Sequence, residues 1–316
     1  MITTITMNAS IDKAYFMDKV IENGTVMRVA RCRNTAGGKG LNVARAIAGC
    51  GAKVQASGLT GGYNGQYLEN MLTEDGISHR FVHVAGETRS CINILDEKYG
   101  STEYLEPGCE ISPEEEAEFL QKFPEIIRDS DVVTISGSIP KGMSKDIYPR
   151  MITIAREMGK KVILDASGEN LKQGFKAHPT LVKPNQDEIG QLFGVKLDSM
   201  EEVISYAWRI YQQGIPYVVI SMGGKGAVLL CEEGEFLGTA PKIKAVNTVG
   251  CGDSMVGALA VSLERGEAPA EALKFAMAVA ASNALSPNTG DVNPEIYEKL
   301  MEKTAIEHRK IKIENS

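Results

Sequence analysis

Residues 247–254 are Asn247-Thr248-Val249-Gly250-Cys251-Gly252-Asp253-Ser254, and an apolar helical pattern follows at 255–263. Gly250 and Gly252 allow a tight turn that directs several backbone N–H groups to one point, where the next helix also places its positive dipole end. Asp253 lies where an anion is expected. Because a carboxylate repels phosphate, we expect it to act on a proton, so the segment predicts phosphoryl transfer to an alcohol. Taken alone, it is equally typical of a loop glycine and an Asp N-cap.

Strand and helix patterns alternate along most of the chain. Strands are predicted at 2–7, 53–57, 132–136, 162–165, 181–183, 217–221 and 227–231, and helices at 41–50, 67–74, 113–127, 145–158, 200–213 and 268–285. Apolar strands separated by amphipathic helices predict an α/β fold, with a mostly parallel sheet covered by helices on both faces. In such a fold, ligands bind beyond the carboxyl ends of the strands.

Two segments, 11–31 and 87–106, interrupt this alternation. They contain short alternating runs, and Glu97-Lys98-Tyr99-Gly100 is typical of a hairpin connection. We expect them to form a small β-sheet lid that excludes water from the cleft, although an edge extension of the main sheet is the alternative. The main α/β domain would then comprise residues 1–10, 32–86 and 107–316.

Composition excludes several classes of protein. The chain has 316 residues, 43% of them hydrophobic, and a net charge of −7, which argues against nucleic-acid or anionic-membrane binding. No apolar run approaches the roughly 20 residues of a membrane span. Residues 1–7 lack the features of a signal peptide, so we expect a cytoplasmic protein. The six cysteines form no Cys-x-x-Cys pair, and with four histidines they suggest no zinc site.

Two motifs near the amino terminus suit a polar ligand. Gly37-Gly38-Lys39-Gly40 opens a helix on which Asn42 lies one turn along the same face as Lys39. The spacing differs from that of a Walker A loop. Asp12 follows the first strand, where it would accept hydrogen bonds from sugar hydroxyls. A flexible loop with a solvated lysine, and an aspartate in a turn, are the alternatives.

Other candidates are individually weak. Arg28 and Arg89 suit bidentate phosphate binding, but a single arginine is more often solvated. Asn185 and Glu188 match a capping box and also suit a place near Mg²⁺ and its waters. The segment 221–227 has the glycines of a turn near a nucleotide, as would a plain hairpin.

Together, the order and spacing of these motifs resemble those of the ribokinase-like (PfkB) sugar kinases over nearly the whole chain. The matching segments are 8–12, 37–44, 88–89, 136–140, 165–168, 183–188, 221–227 and 248–254. Within that family the chain is most similar to the tagatose-6-phosphate kinase and 1-phosphofructokinase branch. The lid sequence and residues 288–293 favour tagatose-6-phosphate kinases. Two positions depart from the family pattern. Cys251 stands where the family usually has Ala, Ser or Thr, and Ala9 stands where it usually has Pro.

The resemblance implies a Rossmann-like three-layer α/β/α domain with a small β-sheet lid. It also implies a role for each motif residue. Asp253 would be the base, and the amides of Gly250, Cys251 and Gly252 the anion hole. The substrate side would comprise Asp12, Arg28, Gly38, Lys39, Asn42, Arg89 and Ser138. Among these, Lys39 and Arg89, together with Arg28, would hold the phosphate that the sugar already carries. The ATP side would comprise Asn185, Glu188, Ser221, Gly223, Gly226 and Asn283, with Glu188 holding Mg²⁺ through water.

The implied reaction is ATP-dependent phosphorylation of a ketohexose phosphate, above all of tagatose 6-phosphate to tagatose 1,6-bisphosphate. The nearest alternative is a 1-phosphofructokinase, which converts fructose 1-phosphate to fructose 1,6-bisphosphate. A kinase of unphosphorylated sugars or nucleosides, and a sugar-binding regulator without catalysis, are more distant alternatives. The implied ligands are a sugar phosphate, ATP and Mg²⁺, and lids of this family pair into homodimers through exposed sheet edges.

Overall fold

The computed structural model describes residues 1–310. In chain order its elements are β1 (Ile2–Thr6), β2 (Ser10–Phe16), β3 (Arg31–Gly37), α1 (Lys39–Gly49), β4 (Val54–Gly61), α2 (Gly62–Glu74), β5 (Ser78–Val84), β6 (Arg89–Asp96), β7 (Gly100–Leu105), α3 (Pro113–Ile126), β8 (Val132–Ser136), α4 (Ile147–Glu157), β9 (Lys161–Asp165), α5 (Gly168–Phe175), β10 (Leu181–Val182), α6 (Gln186–Phe193), α7 (Met200–Tyr211), β11 (Tyr217–Ser221), β12 (Ala227–Cys231), β13 (Gly234–Thr239), α8 (Cys251–Arg265), α9 (Pro269–Leu285), α10 (Pro294–Met301) and β14 (Ala305–Arg309).

The main sheet confirms the predicted α/β class. Within residues 1–310 it contains ten strands in the order β14-β13-β12-β11-β10-β9-β8-β1-β4-β5. The strands from β11 to β5 along this order pair in parallel, and β12, β13 and β14 add antiparallel strands at one edge. The sequence analysis did not predict β5, β13 or β14 as strands.

A second, four-stranded sheet has the order β3-β2-β6-β7, so the expected small sheet is confirmed. It includes β3, which lies almost entirely beyond the expected segment 11–31. The sequence of β3 is mostly polar, and the strand forms through antiparallel pairing with β2 from Ser10↔Gly37 to Phe16↔Arg31. Tyr104 and Leu105 are exposed on the edge strand β7. The pairing of two such sheets in a homodimer stays a prediction.

The order of the strands creates a crevice at one point of the main sheet. From β1 the chain continues to β4 on one side, and it later returns to place β8 on the other side of β1. Connections that leave in opposite directions from adjacent strands open a gap beyond their carboxyl ends. The chain enters the small sheet from these same carboxyl ends, because β2 follows β1 and β6 follows β5.

One face of the main sheet changes from apolar to polar toward the carboxyl ends of its strands. Ile2, Val132, Ile163 and Leu181 pack in a core with α1, α8 and α9. Because side chains alternate along a strand, the next positions on this face include Thr6, Ser136, Asp165 and Lys183, all of them buried. The opposite face packs against α3 to α7 around Phe119, Phe123 and Tyr148. None of the helices in residues 1–310 has the length and hydropathy needed to cross a bilayer.

Gly40, in the first turn of α1, sets the distance between that helix and β1. A Cβ at this position would overlap Thr6 Oγ1 and would lie 2.8 Å from the carbonyl oxygen of Ile5. We therefore expect Gly40→Ala to lower the free energy of unfolding by about 1–3 kcal/mol, measured by urea denaturation. Gly224→Ala is the matched control, since a Cβ there would meet open space. Equal stability of the two variants would contradict this account of α1.

Candidate active site

A cleft of about 1740 Å³ lies between the two sheets at the carboxyl ends of the main-sheet strands. Asp12, Arg33 and Arg89 line it from the small sheet. From the main domain, the lining includes Gly38, Lys39, Asn42, Asp165, Lys183, Asn185, Glu188, Ser221, Gly223, Gly250, Gly252 and Asp253. Most of the predicted site residues are thus brought to one cleft.

The turn before α8 opens its backbone toward the cleft. Gly250 is the N-cap with φ of 81°, a left-handed conformation that favours glycine, and its carbonyl accepts the Ser254 N–H at 2.8 Å. The Cys251 N–H donates to Thr248 O at 3.3 Å. In residues 1–310, no hydrogen bond engages the N–H of Gly250 or of Gly252. Free N–H groups at the positive end of a helix suit an anion.

Asp253 follows this turn with only 7% of its surface exposed. Its Oδ2 accepts a hydrogen bond from Asn42 Nδ2 at 2.7 Å. Burial, followed by repulsion from Asp165, raises the pKa of Asp253 to about 6, and the Asn42 amide with the ammonium groups of Lys39 and Lys183 opposes that rise. A carboxylate with such a pKa is ionised at neutral pH and is a stronger base than an exposed aspartate.

Four more charged side chains line this part of the cleft, namely Lys39, Asp165, Lys183 and Glu188. Lys183 is 3% exposed and its Nζ lies 3.3 Å from Asp165 Oδ1. Lys39 Nζ lies 3.8 Å from Asp165 Oδ2 and 3.8 Å from Glu188 Oε1. The attraction of Asp165 raises the pKa of Lys39 more than burial lowers it, so this ammonium group stays charged. The cleft therefore holds two lysines between buried carboxylates.

The carboxylates fit a magnesium ion. Both oxygens of Asp165 are buried, and apart from the ion pairs with Lys183 and Lys39 neither has a hydrogen-bond partner in the described residues. Glu188 lines the same cleft from α6. Mg²⁺ prefers carboxylate oxygens, and in nucleotide sites it takes one or two of them together with phosphates and water.

The segment after β10 forms the expected capping box. Asn185 Oδ1 accepts the Glu188 N–H at 2.8 Å, and Glu188 Oε2 accepts the Asn185 N–H at 2.9 Å. The Ser221 N–H donates to Pro184 O, which joins this segment to the end of β11. Gly226 does not line the cleft, and its positive φ of 111° allows close approach to the carbonyl of Gly238.

The small-sheet side of the cleft holds the candidates for sugar binding. Burial raises the pKa of Asp12, whose Oδ1 accepts a hydrogen bond from Ser10 Oγ at 2.6 Å. Arg89 donates to the carbonyls of Glu106 at 2.8 Å and Asn8 at 3.1 Å, while its buried Nε has no partner in the described residues. The guanidinium is therefore held in place by two of its donors, while its Nε–H remains without a partner among residues 1–310.

Two predicted substrate residues lie outside the cleft lining. Arg28 is exposed in the loop between β2 and β3. Ser138 is exposed after β8, and its Oγ accepts a hydrogen bond from Asn8 Nδ2 at 3.3 Å. Their roles in substrate binding stay predictions.

Four residues that the fold brings to the cleft had no predicted role: Arg33, Arg45, Asp165 and Lys183. Asp165 and Lys183 come at or just after the ends of β9 and β10, and their position at strand ends was an available signal. Arg33 lies on the unpredicted strand β3, where Nη1 donates to Asn288 Oδ1 in the loop between α9 and α10. Arg45 lies three residues after Asn42, so helical spacing alone placed it on the same face.

Asn283 is fully buried and braces the turn before α8 from behind. Its Nδ2 donates to Val249 O at 3.0 Å, and its Oδ1 accepts the Gly290 N–H at 2.7 Å. The same amide lies 3.4 Å from Cys251 Sγ, and burial raises the pKa of that thiol. Cys251 is therefore not an activated thiolate.

Comparisons with known proteins agree with this geometry. Residues 5–296 match the profile of the pfkB family carbohydrate kinases. The tagatose-6-phosphate kinase of Staphylococcus epidermidis is 36% identical over 309 residues, an alignment that covers 97% of this chain and 99% of the relative.

Two solved structures show the same fold. Phosphofructokinase-2 from Escherichia coli, in complex with potassium, superimposes with a TM-score of 0.90 at 30% identity, covering 95% of this chain and 98% of that one. A Thermotoga maritima protein described as a possible 1-phosphofructokinase gives a TM-score of 0.88 at 26% identity, with 98% and 99% covered.

Replacing Asn283 tests its bracing role. Asn283→Leu would leave the Gly290 N–H and the Val249 carbonyl without partners, so we expect a loss of about 1–3 kcal/mol in the free energy of unfolding. We also expect a higher KM for MgATP, since Gly250 loses its support. Asn293→Ala is the control: it removes the α10 cap and should leave KM unchanged. An unchanged KM in Asn283→Leu would separate this residue from the nucleotide side.

Proposed function

The chain belongs to the pfkB family of carbohydrate kinases, and from that premise we propose that it transfers the γ-phosphate of ATP to the C1 hydroxyl of tagatose 6-phosphate, giving tagatose 1,6-bisphosphate and ADP. The observation that carries the proposal is the buried Asp253 carboxylate beside the free N–H groups of Gly250 and Gly252 at the start of α8. A base and an anion site at one point are what transfer of a phosphoryl group to an alcohol requires.

Asp253 is the proposed base. As the C1 oxygen attacks the γ-phosphorus, the hydroxyl proton passes to the carboxylate, and the bond from phosphorus to the bridging oxygen of ADP breaks. The raised pKa of Asp253 favours this transfer at neutral pH. No covalent intermediate with the protein is needed, because positioning and charge stabilisation account for the catalysis.

The N–H groups of Gly250 and Gly252 are the proposed anion hole. The N–H of Cys251 is already engaged by Thr248, so we expect it to contribute less than its neighbours. Lys183 supports the same point, since its Nζ lies 3.5 Å from where a Cβ of residue 252 would be. We assign Lys39, whose Nζ lies 3.8 Å from both Asp165 and Glu188, to the transferred phosphate, in place of the substrate's own phosphate that the family resemblance implies for it.

The remaining contacts would hold the two substrates. Asp12 and Asn42 suit the sugar hydroxyls, and Arg89 with its free Nε suits the 6-phosphate. Bound Mg²⁺ would neutralise charge on the ATP phosphates, and Asp165 and Glu188 are the residues that would hold it.

A 1-phosphofructokinase activity is the second candidate. It is favoured by the Thermotoga maritima neighbour described as a possible 1-phosphofructokinase, 99% of which is covered by the superposition. The same base and anion hole would serve it, and only the position of the substrate phosphate would differ. Membership of a carbohydrate kinase family disfavours the sugar-binding regulator without catalysis.

Asp253→Asn tests the base. An amide cannot take the proton, so we expect kcat to fall roughly 10²–10⁴-fold while the Kd for ATP, measured by calorimetry, is retained. In the unaltered enzyme, kcat should fall as the pH drops below about 6, because Asp253 becomes protonated. This acid limb should be absent from the residual activity of the variant.

Glu116→Gln is the matched control for this substitution. Glu116 is also a buried carboxylate, but it pairs with Arg150 at 2.8 Å away from the cleft. We expect lower stability and a normal kcat. Near-normal turnover by Asp253→Asn would remove the base assignment.

The substrate is tested by initial rates with MgATP on tagatose 6-phosphate, fructose 6-phosphate and fructose 1-phosphate. We expect kcat/KM to be roughly tenfold or more higher for tagatose 6-phosphate than for fructose 1-phosphate. The reverse preference would keep the fold and the chemistry and make the enzyme a 1-phosphofructokinase. Turnover of none of the three would contradict the proposed function.

A further inference from the structure

Arg45 lines the cleft from α1, and the reaction proposed above gives it no role. Its guanidinium makes three directed hydrogen bonds. Nη1 donates to Ala36 O at 2.6 Å, Nε to Thr289 O at 3.3 Å and Nη2 to Asn42 Oδ1 at 2.6 Å. Because a guanidinium is planar and carries its donors in a rigid fork, these contacts fix both its position and its plane.

This fixed guanidinium decides which way the Asn42 amide points. Arg45 offers only donors, so the amide must turn its oxygen toward it. The Nδ2 group then faces the opposite way, where it donates to Asp253 Oδ2 at 2.7 Å. In the flipped orientation the amide oxygen would face the carboxylate, and two acceptors would meet with no proton between them.

We propose that Arg45 is a positioning residue for the proton transfer: through Asn42 it holds a hydrogen-bond donor against the Asp253 carboxylate and so tunes the strength of the base. The inference rests on the proposed function, which assigns the proton transfer to Asp253. Arg45 touches neither the carboxylate nor, on this account, the reacting atoms.

Other charged groups also face Asp253. Asp165 approaches it from the end of β9, Lys183 from the residue after β10 and Lys39 from the start of α1. None of them takes part in the hydrogen bonds of Arg45 in the described residues. A substitution at Arg45 therefore leaves their contacts in place, although its own positive charge also acts on Asp253 from a distance.

The first test is the pH profile of kcat for Arg45→Met and Arg45→Lys, at saturating MgATP and saturating sugar phosphate. Without Arg45, the Asn42 amide is no longer held with its Nδ2 group against Asp253. A carboxylate that loses a donor in this way holds its proton up to a higher pH. We therefore expect the acid limb to move upward by about one pH unit in Arg45→Met. The shift should be smaller in Arg45→Lys, which keeps a charge and a donor but loses the fork.

A double-mutant comparison separates the hydrogen-bond relay from the charge of Arg45. Asn42→Ala alone should move the acid limb upward, because it removes the donor itself. Arg45→Met added to Asn42→Ala should then cause only a small further shift, from the distant charge alone, since the hydrogen-bond path through Asn42 has already been removed. A further shift of similar size would mean that Arg45 acts directly through its charge, and would overturn the proposal.

Arg156→Met is the control for losing a guanidinium. Arg156 donates to Ala177 O at 2.9 Å outside the cleft, so this variant should leave the acid limb unmoved. An unmoved limb in Arg45→Met, with only a lower Tm, would show a purely structural role and contradict the proposal. If Arg45→Met fails to fold, Arg45→Lys decides, because it keeps the positive charge and must still shift the limb upward.

The two proposals fail in different ways. If the unaltered protein turns over none of the sugar phosphates, or if Asp253→Asn stays active, the proposed function is wrong. If the unaltered enzyme is active with an acid limb that Asp253→Asn abolishes, but Arg45→Met and Arg45→Lys leave that limb in place, only the role of Arg45 is wrong.

Discussion

Two aspartates that repel each other share the interior of this cleft, and the architecture around them is arranged to hold both. Asp165 and Asp253 are each at least nine-tenths buried, and the charge of Asp165 raises the pKa of Asp253. Buried charge is costly unless it is paired. Lys183 and Lys39 supply the pairing. The four residues come from or beside β9, α8, β10 and α1, so the charges balance only when these elements have come together.

The polar end of the sheet face follows from the same constraint. Near the carboxyl ends of β1 and β8, threonine and serine occupy positions that are isoleucine and valine further back along the same strands. The hydroxyls of Thr4, Thr6, Thr134 and Ser136 are buried, and none has a hydrogen-bond partner in the described residues. Dipoles of this kind lower the cost of nearby charge, which an aliphatic surface would raise. Near the carboxyl ends of β1 and β8, polar side chains thus replace apolar ones and provide a polar surrounding for the charged groups.

The sequence predicted the elements whose local chemistry agrees with their final place. The glycine turn before Asp253 and the capping box at Asn185 were both readable, because the residues that form them are neighbours in the chain. Strand β3 was not, since its polar sequence becomes a strand only by pairing with β2. Lys183 followed a strand only two residues long, and its ion pair with Asp165 depends on how β9 and β10 lie side by side. Arg45 could be placed on the face of Asn42, but the carbonyl of Thr289 that orients it is remote in sequence.

The small sheet is joined to the main domain by four chain crossings, at residues 7–9, 38, 85–88 and 106–112. A small sheet joined by one connection could move freely or exchange with a neighbouring molecule. Four connections along one side of the small sheet leave mainly a rotation about that side. One of them is a single residue, Gly38, with φ of 106° and with Thr6 packed beneath it. The axis of any such rotation therefore runs past Lys39 and Asn42. The backbone about which the small sheet would rotate is thus continuous with the first turn of α1. A rotation that opened the cleft would therefore also displace Lys39 and Asn42.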